Sequence, residues 1–320
     1  MTDMRLYSKW MAGNLVIYGG DGMLSGKGTE YFVDPANGDD NNDGMSWDKA
    51  MATIPIAYAA CTDGANDKVI YLGGATGATL AATLTWAKSY THLIGACAPV
   101  MAAQRARIHN ETTTGVTPLL NITGSGCVFK NFYIFQGVDE AVANVNAQVS
   151  GGRNYFENVH FAGGGHASQA IDGGASLRLV GSEGEHKFVN CTIGVDTIAQ
   201  AAGMRCLAII GGTPRNVFKD CNFISYAGAG GAMFVEWEAL SAVDRYMLFD
   251  NCKFINTSGT DMDSAFVMPA GAPAHRRMFL KDCIGYGFTK WDANDRGVLM
   301  GNMDVVTPVD LSGVAVEMVT

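Results

Sequence analysis

The residues best placed to do chemistry are two carboxylates flanking a tryptophan, Glu236-Trp237-Glu238. Alternate residues of a β-strand share a face, so the acids lie about 6.6 Å apart with Trp237 on the other side. A sugar bond is hydrolysed between two such carboxylates, which makes Glu236 and Glu238 the catalytic candidates if the chain is a glycoside hydrolase or polysaccharide lyase. Asp261 and Asp263 are a second pair, read as lying in a loop. Acids at alternate positions are also what any half-exposed strand carries, and that is the reading preferred here. Eight cysteines include no Cys-x-x-Cys and no pair at zinc-ligand spacing. Six histidines include no His-x-x-x-His pair. The run Asp39-Asp-Asn-Asn-Asp-Gly resembles a calcium loop, but position 50 is Ala where an EF-hand needs an acid. It reads instead as a turn of Asx side chains bonding their own backbone. No metal and no cofactor are expected.

The elements that would position these groups come from a recurring phrase. Phe129-Lys-Asn-Phe-Tyr-Ile, Phe156-Glu-Asn-Val-His-Phe, Phe188-Val-Asn-Cys-Thr-Ile, Phe218-Lys-Asp-Cys-Asn-Phe and Phe249-Asp-Asn-Cys-Lys-Phe are followed by a degenerate copy, Leu280-Lys-Asp-Cys-Ile-Gly. Successive copies begin 27, 32, 30, 31 and 31 residues apart, a period that marks a solenoid, propeller or array. An apolar strand precedes most copies, as at Leu119, Leu177, Leu207 and Phe234, and small turn residues join the two. A Gly- and Ala-rich segment of variable length follows. Short strands running in one sense stack coil on coil at about 4.8 Å. The fold class is therefore all-β, a single-stranded parallel β-helix. Phe129, Phe156, Phe188, Phe218 and Phe249 are expected in one interior column, and Cys191, Cys221, Cys252 and Cys283 in a neighbouring column of buried thiols acting as small hydrophobes.

This coil phrase resembles the right-handed parallel β-helices of the pectate-lyase-like superfamily, and Tyr31-Phe-Val-Asp-Pro-Ala-Asn-Gly-Asp-Asp-Asn-Asn-Asp-Gly-Met-Ser-Trp resembles the opening used by many of its members. The resemblance covers residues 31–300 and implies a capping helix, here at residues 51–61, before the first coil. The superfamily includes lyases, hydrolases, adhesins and phage virion proteins, so fold alone does not set function. Its polygalacturonase-like members carry Asn-x-Asp, Asp-Asp, Gly-His-Gly and Arg-x-Lys on successive coils. Here Ala167 follows His166, no Arg-x-Lys occurs, and Asp39-Asp40 lies in the opening turn. Pectate lyases pair a calcium-binding acid cluster with a base, whereas Arg205 and Arg215 have only Asp196 and Asp220 in their own coils.

The chain of 320 residues has a formal net charge of −9 and no Lys/Arg block, which argues against a nucleic-acid groove. No stretch approaches the run of about 18 apolar residues that a membrane span needs. The first ten residues lack the apolar core of a signal peptide, and with the cysteine usage this points to folding in a reducing compartment. Four segments follow: residues 1–30 as an anchor, 31–67 as a cap of turn plus helix, 68–305 as the β-helix with an insertion at 98–107 read as a short helix, and 306–320 as a closing tail. The anchor holds Trp10, Met11, Leu15, Val16, Ile17 and Tyr18, apolar residues with no repeat partner, expected to bind a partner surface.

Residues and resemblance together lead to a structural virion protein of a bacteriophage, assembled in the host cytoplasm. The expected form is a capsid decoration protein, a homotrimeric β-helical knob held through residues 1–30 to the major capsid protein or another virion protein. Catalysis is not expected. The alternative is a tailspike or tail fibre that binds or cleaves a host surface polysaccharide.

Overall fold

In a computed structural model, residues 16–17, 24–25, 28–110, 114–271, 276–294, 297–300 and 305–306 are described. Three parallel sheets run the length of the molecule, with ten, nine and seven strands. The first sheet begins at Glu30–Val33 and ends at Gly297–Met300, and it contains every copy of the phrase's leading residue. The second, from Ala78–Thr79 to Val305–Val306, takes the residues that close the phrase. The third, from Leu84–Trp86 to Phe266–Val267, takes the apolar strands that precede it. The chain visits the three sheets in turn, so each visit adds one strand to each. This is the parallel β-helix read from the repeat.

Register follows the phrase. Phe129 pairs with Phe156, Phe156 with Phe188, Phe188 with Phe218, Phe218 with Phe249, and Phe249 with Leu280. The five phenylalanines are fully buried and their rings stack, with centroids 5.1, 4.5, 4.4 and 5.0 Å apart. Each such burial is worth about 1.5–3 kcal/mol, and each aromatic pair about 0.5–1.5 kcal/mol more. Columns from the other sheets fill the remaining interior. Ile134, Phe161, Ile193, Phe223 and Phe254 come from the second sheet, and Leu177, Leu207, Val235 and Phe266 from the third. Cys191, Cys221, Cys252 and Cys283 are buried free thiols beside the Phe column. The last three place Sγ 3.6, 3.4 and 3.5 Å from the carbonyls of Phe188, Phe218 and Phe249.

The Asn or Asp at the third place of the phrase has a backbone reason. Asn131, Asn158, Asn190, Asp220, Asn251 and Asp282 all hold positive φ, between 51° and 59°. This is the left-handed turn from the first sheet into the second, and Asn and Asp tolerate it better than other non-glycine residues. Their backbone N–H groups continue the ladder across the turn, as from Asn158 to Val189 O and from Asn190 to Lys219 O, at 2.9 and 3.0 Å.

The cap differs from expectation in detail. The helix runs Ile54–Ala60 rather than over 51–61, because Met51 belongs to the sheet: its N–H donates to Phe32 O and its carbonyl accepts from Asp34 N. The helix places Tyr58 on Trp86, with ring centroids 4.2 Å apart, and so closes the interior. Lys88 Nζ donates to the carbonyls of Tyr58, Ala59 and Cys61 at the helix C-terminus, where a cation is favoured. The short helix expected at residues 98–107 is absent. That segment is a loop with Ala103 at φ +53°, tied to later coils by Gln104 donating to Asn158 O and Thr192 donating to Met101 O. The Thr192 hydroxyl and the Gln104 amide take the carbonyls of Met101 and Val100, which a helix would have bonded internally.

At the N-terminal end Val16–Ile17 is a strand and pairs antiparallel with Leu24–Ser25 in a separate sheet. Trp10, Met11, Leu15 and Tyr18 lie outside the described residues, as do residues 307–320 of the expected closing tail.

Candidate functional site

Glu236 ends up on the outer face of the third sheet, in the strand Met233–Trp237, with Glu238 just beyond it. Trp237 points into the core and is 2% exposed, so the face assignment from strand alternation holds and no groove forms between Trp237 and the acids. Arg205, one coil earlier, lies against both carboxylates. Its Nε donates to Glu236 Oε2, and its Nη2 donates to Glu238 Oε1 at 2.8 Å. Glycosidase carboxylates hold substrate between them; here the guanidinium occupies that space. Beside this fork, Arg178 donates from Nε and Nη2 to Gln148 Oε1, and Gln148 donates to Asn121. The outer face of the third sheet is thus a ridge of side chains bonded from coil to coil.

Arg205 and Arg215 find their carboxylate partners in neighbouring coils rather than in their own. Arg205 takes Glu236 and Glu238 from the following coil, and Arg215 takes Glu185 from the preceding one. Arg153 also reaches Glu185, at 2.8 Å. Arg153, Glu185 and Arg215 all hold positive φ in the turn from third to first sheet, so their alternating charges stack on one edge.

Asp261 and Asp263 lie outside strands on either side of buried Met262. The opening acids behave as Asx turns. Asp34 accepts from Ala36 N, Asp39 from Asn41 N and Asp43 from Met45 N, while Asp40 accepts from Ala52 N, Thr53 N and the Thr53 hydroxyl. Among the described residues no group of three His, Cys, Asp or Glu could hold a metal ion.

Three residue types familiar from hydrolases do meet at one turn, Asp139, His166 and Ser168. Ser168 Oγ donates to Asp139 Oδ1, and His166 Nδ1 lies 3.2 Å from Ser168 Oγ and 3.4 Å from Asp139 Oδ1. A relay needs serine on one ring nitrogen and the carboxylate on the other. Both partners crowd Nδ1 here, and the serine proton is directed at the acid.

Three other histidines are buried. His160 Nδ1 accepts from Ala103 N and its Nε2 bonds Gly194 O at 2.9 Å. His92 and His186 accept backbone N–H bonds from Val128 and Asn154 at Nδ1. Burial lowers all three to about 4, so each is neutral at pH 7.

A concave feature with ligand-like chemistry was not singled out from the sequence. On the outer face of the second sheet, Arg107, His109, Asn110, Tyr133, Phe135 and Gly137 line a cleft of about 420 Å³, within the range of small-ligand sites. Tyr133 pairs with Arg107 and Phe135 with His109 across adjacent strands. Ile134 faces inward, so Tyr133 and Phe135 must face out, and their rings stack at 5.8 Å and 21°. Burial pushes the Tyr133 hydroxyl up to about 12, against the opposing effect of nearby Arg107. Strand alternation was the available signal. Nothing local marked the neighbouring coil that completes the cleft.

Solved structures share this architecture. Pectin methylesterase PemA from Erwinia chrysanthemi is similar with a TM-score of 0.57 and 14% identity, over 90% of this chain and 90% of that one. Pectate lyase Pel9A is similar with a TM-score of 0.51 and 14% identity, over 84% of this chain and 78% of that one. ORF18 of Geobacillus virus E2 has a TM-score of 0.46 and 12% identity, over 80% of this chain and 58% of that one. No protein-family model matches the sequence, and no curated protein matches it. At such identities the likeness is one of architecture: the chain has the parallel β-helix fold that pectin methylesterase PemA and pectate lyase Pel9A share.

Proposed function

We propose that the chain is a structural component of a bacteriophage particle, a rigid β-helical knob that decorates the capsid and is held there through residues 1–30. The observation that carries the non-catalytic half of this reading is the fork of Arg205 between Glu236 and Glu238, which fills the place a substrate would need. Outer-face charges elsewhere are likewise spent between coils, as in Lys130–Glu157 and Lys281–Asp250. The particle half rests on the resemblance of the repeat to phage β-helices, and the eight free thiols suit assembly in host cytoplasm. Side-by-side packing as a homotrimer and docking on the major capsid protein belong to the same proposal.

Antibody labelling of purified particles, imaged in negative stain, tests it. Label over the head supports decoration, and label at the tail supports the second reading. Particles that never carry label overturn both. In parallel, the purified protein should release no reducing or unsaturated ends from bacterial polysaccharides. Turnover that Glu236→Gln or Glu238→Gln abolishes would make those acids catalytic.

The second reading is a tailspike-type protein that binds a host surface glycan. The aromatic cleft at Tyr133 and Phe135 favours it, since paired outward rings beside a cation suit a sugar better than they suit packing alone.

A further inference from the structure

We propose that two apolar stripes on adjacent faces of the solenoid form the contact between copies of this chain. The first-sheet stripe of one copy lies on the second-sheet stripe of the next, in a closed ring. This rests on the side-by-side packing of the proposed function and adds the two faces that meet.

The stripes sit at the same height. On the first sheet Val217, Leu248 and Phe279 pair across successive coils, each beside an inward Phe218, Phe249 or Leu280, so each faces outward. On the second sheet Ile224, Ile255 and Tyr286 pair in the same way, beside the inward column of Phe223, Phe254 and Gly285. Val217 and Ile224, Leu248 and Ile255, and Phe279 and Tyr286 are each seven residues apart. The left-handed turn at Asp220, Asn251 and Asp282 separates them, so the two stripes flank one corner of the solenoid. Tyr226, Tyr246 and Ile284 widen them and are 41, 38 and 45% exposed. Scattered apolar side chains are normal on a surface, whereas a contiguous patch marks an interaction site.

The form of the surface selects its occupant. Copies set side by side about an axis parallel to their own bring equal coils to equal heights. A face must then find its partner at its own level, and these stripes meet that condition coil for coil. Because they are different faces, the contact is heterologous, and a rotation that repeats it closes a ring. The corner between them is satisfied along its own length: Lys281 pairs with Asp250 at 2.9 Å, and Asn251 donates to Asp220 at 2.7 Å. At these coils the third sheet carries Arg205, Glu236 and Glu238, paired with one another and suited to solvent.

Sedimentation of the full chain and its variants tests the contact. The intact protein should sediment as an oligomer. Leu248→Lys and Ile255→Lys should each weaken association about thirtyfold or more, the loss of a hot-spot contact. Val267→Lys, on the third sheet, should change nothing. Unaltered circular dichroism and melting would show that the variants are folded. A short bismaleimide then reads the pairing in a Cys97→Ser background, which removes the partly exposed thiol. Leu248→Cys and Ile255→Cys should each stay uncoupled alone, and chains carrying one or the other should couple when co-expressed. Coupling of either variant with itself would mean a two-fold contact and overturns the heterologous assignment. A monomer at every concentration, or association that survives both lysine substitutions, overturns the interface. A monomer that associates once residues 307–320 are removed overturns it in favour of that tail. Particle labelling separates this contact from the reading it rests on. Head label with a monomeric chain would remove the interface alone, and an oligomer built through these stripes that never appears on particles would remove the particle reading alone.

Discussion

Asn251 donates its side-chain amide to the Asp220 carboxylate at 2.7 Å, one coil away, while the two residues hold φ of +53° and +55°. The same place in the repeat supplies a left-handed turn and a cross-coil side-chain bond. Asn158 does likewise, donating to Asn131 Oδ1 at 2.7 Å.

Replacing Asn251 by Ala should therefore destabilise the protein by about 1–2 kcal/mol, the left-handed cost for a residue with Cβ, plus about 1 kcal/mol for the lost bond. Replacing it by Gly should cost less, because glycine adopts positive φ without strain. Urea denaturation of the two variants measures the difference. Equal losses would mean that the side-chain bond alone matters.

In the core, Phe218→Ala removes a ring stacked between Phe188 and Phe249 and should cost about 3–5 kcal/mol. Phe218→Leu fills most of the volume and should cost about half as much. A small loss in both variants would show that the column collapses around a vacancy.

Thiol labelling gives a sharp count. Of eight free cysteines only Cys97 is partly exposed. Burial holds Cys206 and Cys221 well above the ordinary thiol value, so neither offers the reactive thiolate. Native protein should take up about one alkylating group per chain by mass spectrometry, and denatured protein all eight. Rapid native labelling of Cys191, Cys221, Cys252 or Cys283 would contradict the column.

Acid sensitivity should follow from His92, His160 and His186. Each titrates near 6.5 in the unfolded chain and is lowered to about 4 when folded. Below pH 6.5 the unfolded state therefore binds more protons, and stability falls as pH drops from 6.5 towards 4; above 6.5 these groups contribute no pH dependence. Each contributes a slope of up to about 1.4 kcal/mol per pH unit. Stability measured between pH 7.5 and 5 should bend downward near 6.5, and His186→Gln should remove about a third of that slope. An unchanged slope in the variant would place the protons elsewhere.

Arg205 is only 7% exposed and holds two acids. Arg205→Met should cost about 3–5 kcal/mol, because Glu236 and Glu238 lose their donor. In a Glu236→Gln, Glu238→Gln background the same change should cost less, and thermal unfolding of the four proteins reads the coupling. Additive losses would make the fork energetically idle.

The repeat was legible in the chain because a parallel β-helix converts spacing in sequence into stacking in space. Residues about 30 apart with matching side chains, such as Phe188 and Phe218, have one place to go if each coil is to bury its apolar face. The Asn or Asp at the third place was visible as a pattern, but its φ became meaningful only once the turn was seen. The helix ran shorter than expected because Met51 pairs with Val33 across 18 positions, a competition that local periodicity does not register.

Spacing and side-chain type along the chain were enough to specify the solenoid, its interior columns and the outward face of Glu236. Tertiary structure alone decided which groups meet on the surface: Arg205 with Glu236 and Glu238, Ser168 with Asp139, and Arg107 and His109 beside Tyr133 and Phe135. The physical reason is the variable length of the turns. Copies of the phrase begin between 27 and 32 residues apart, so interior positions stay in register because burial forces them to. Groups in and beside the turns are set by how each loop folds back across its neighbours, which a periodic pattern does not encode.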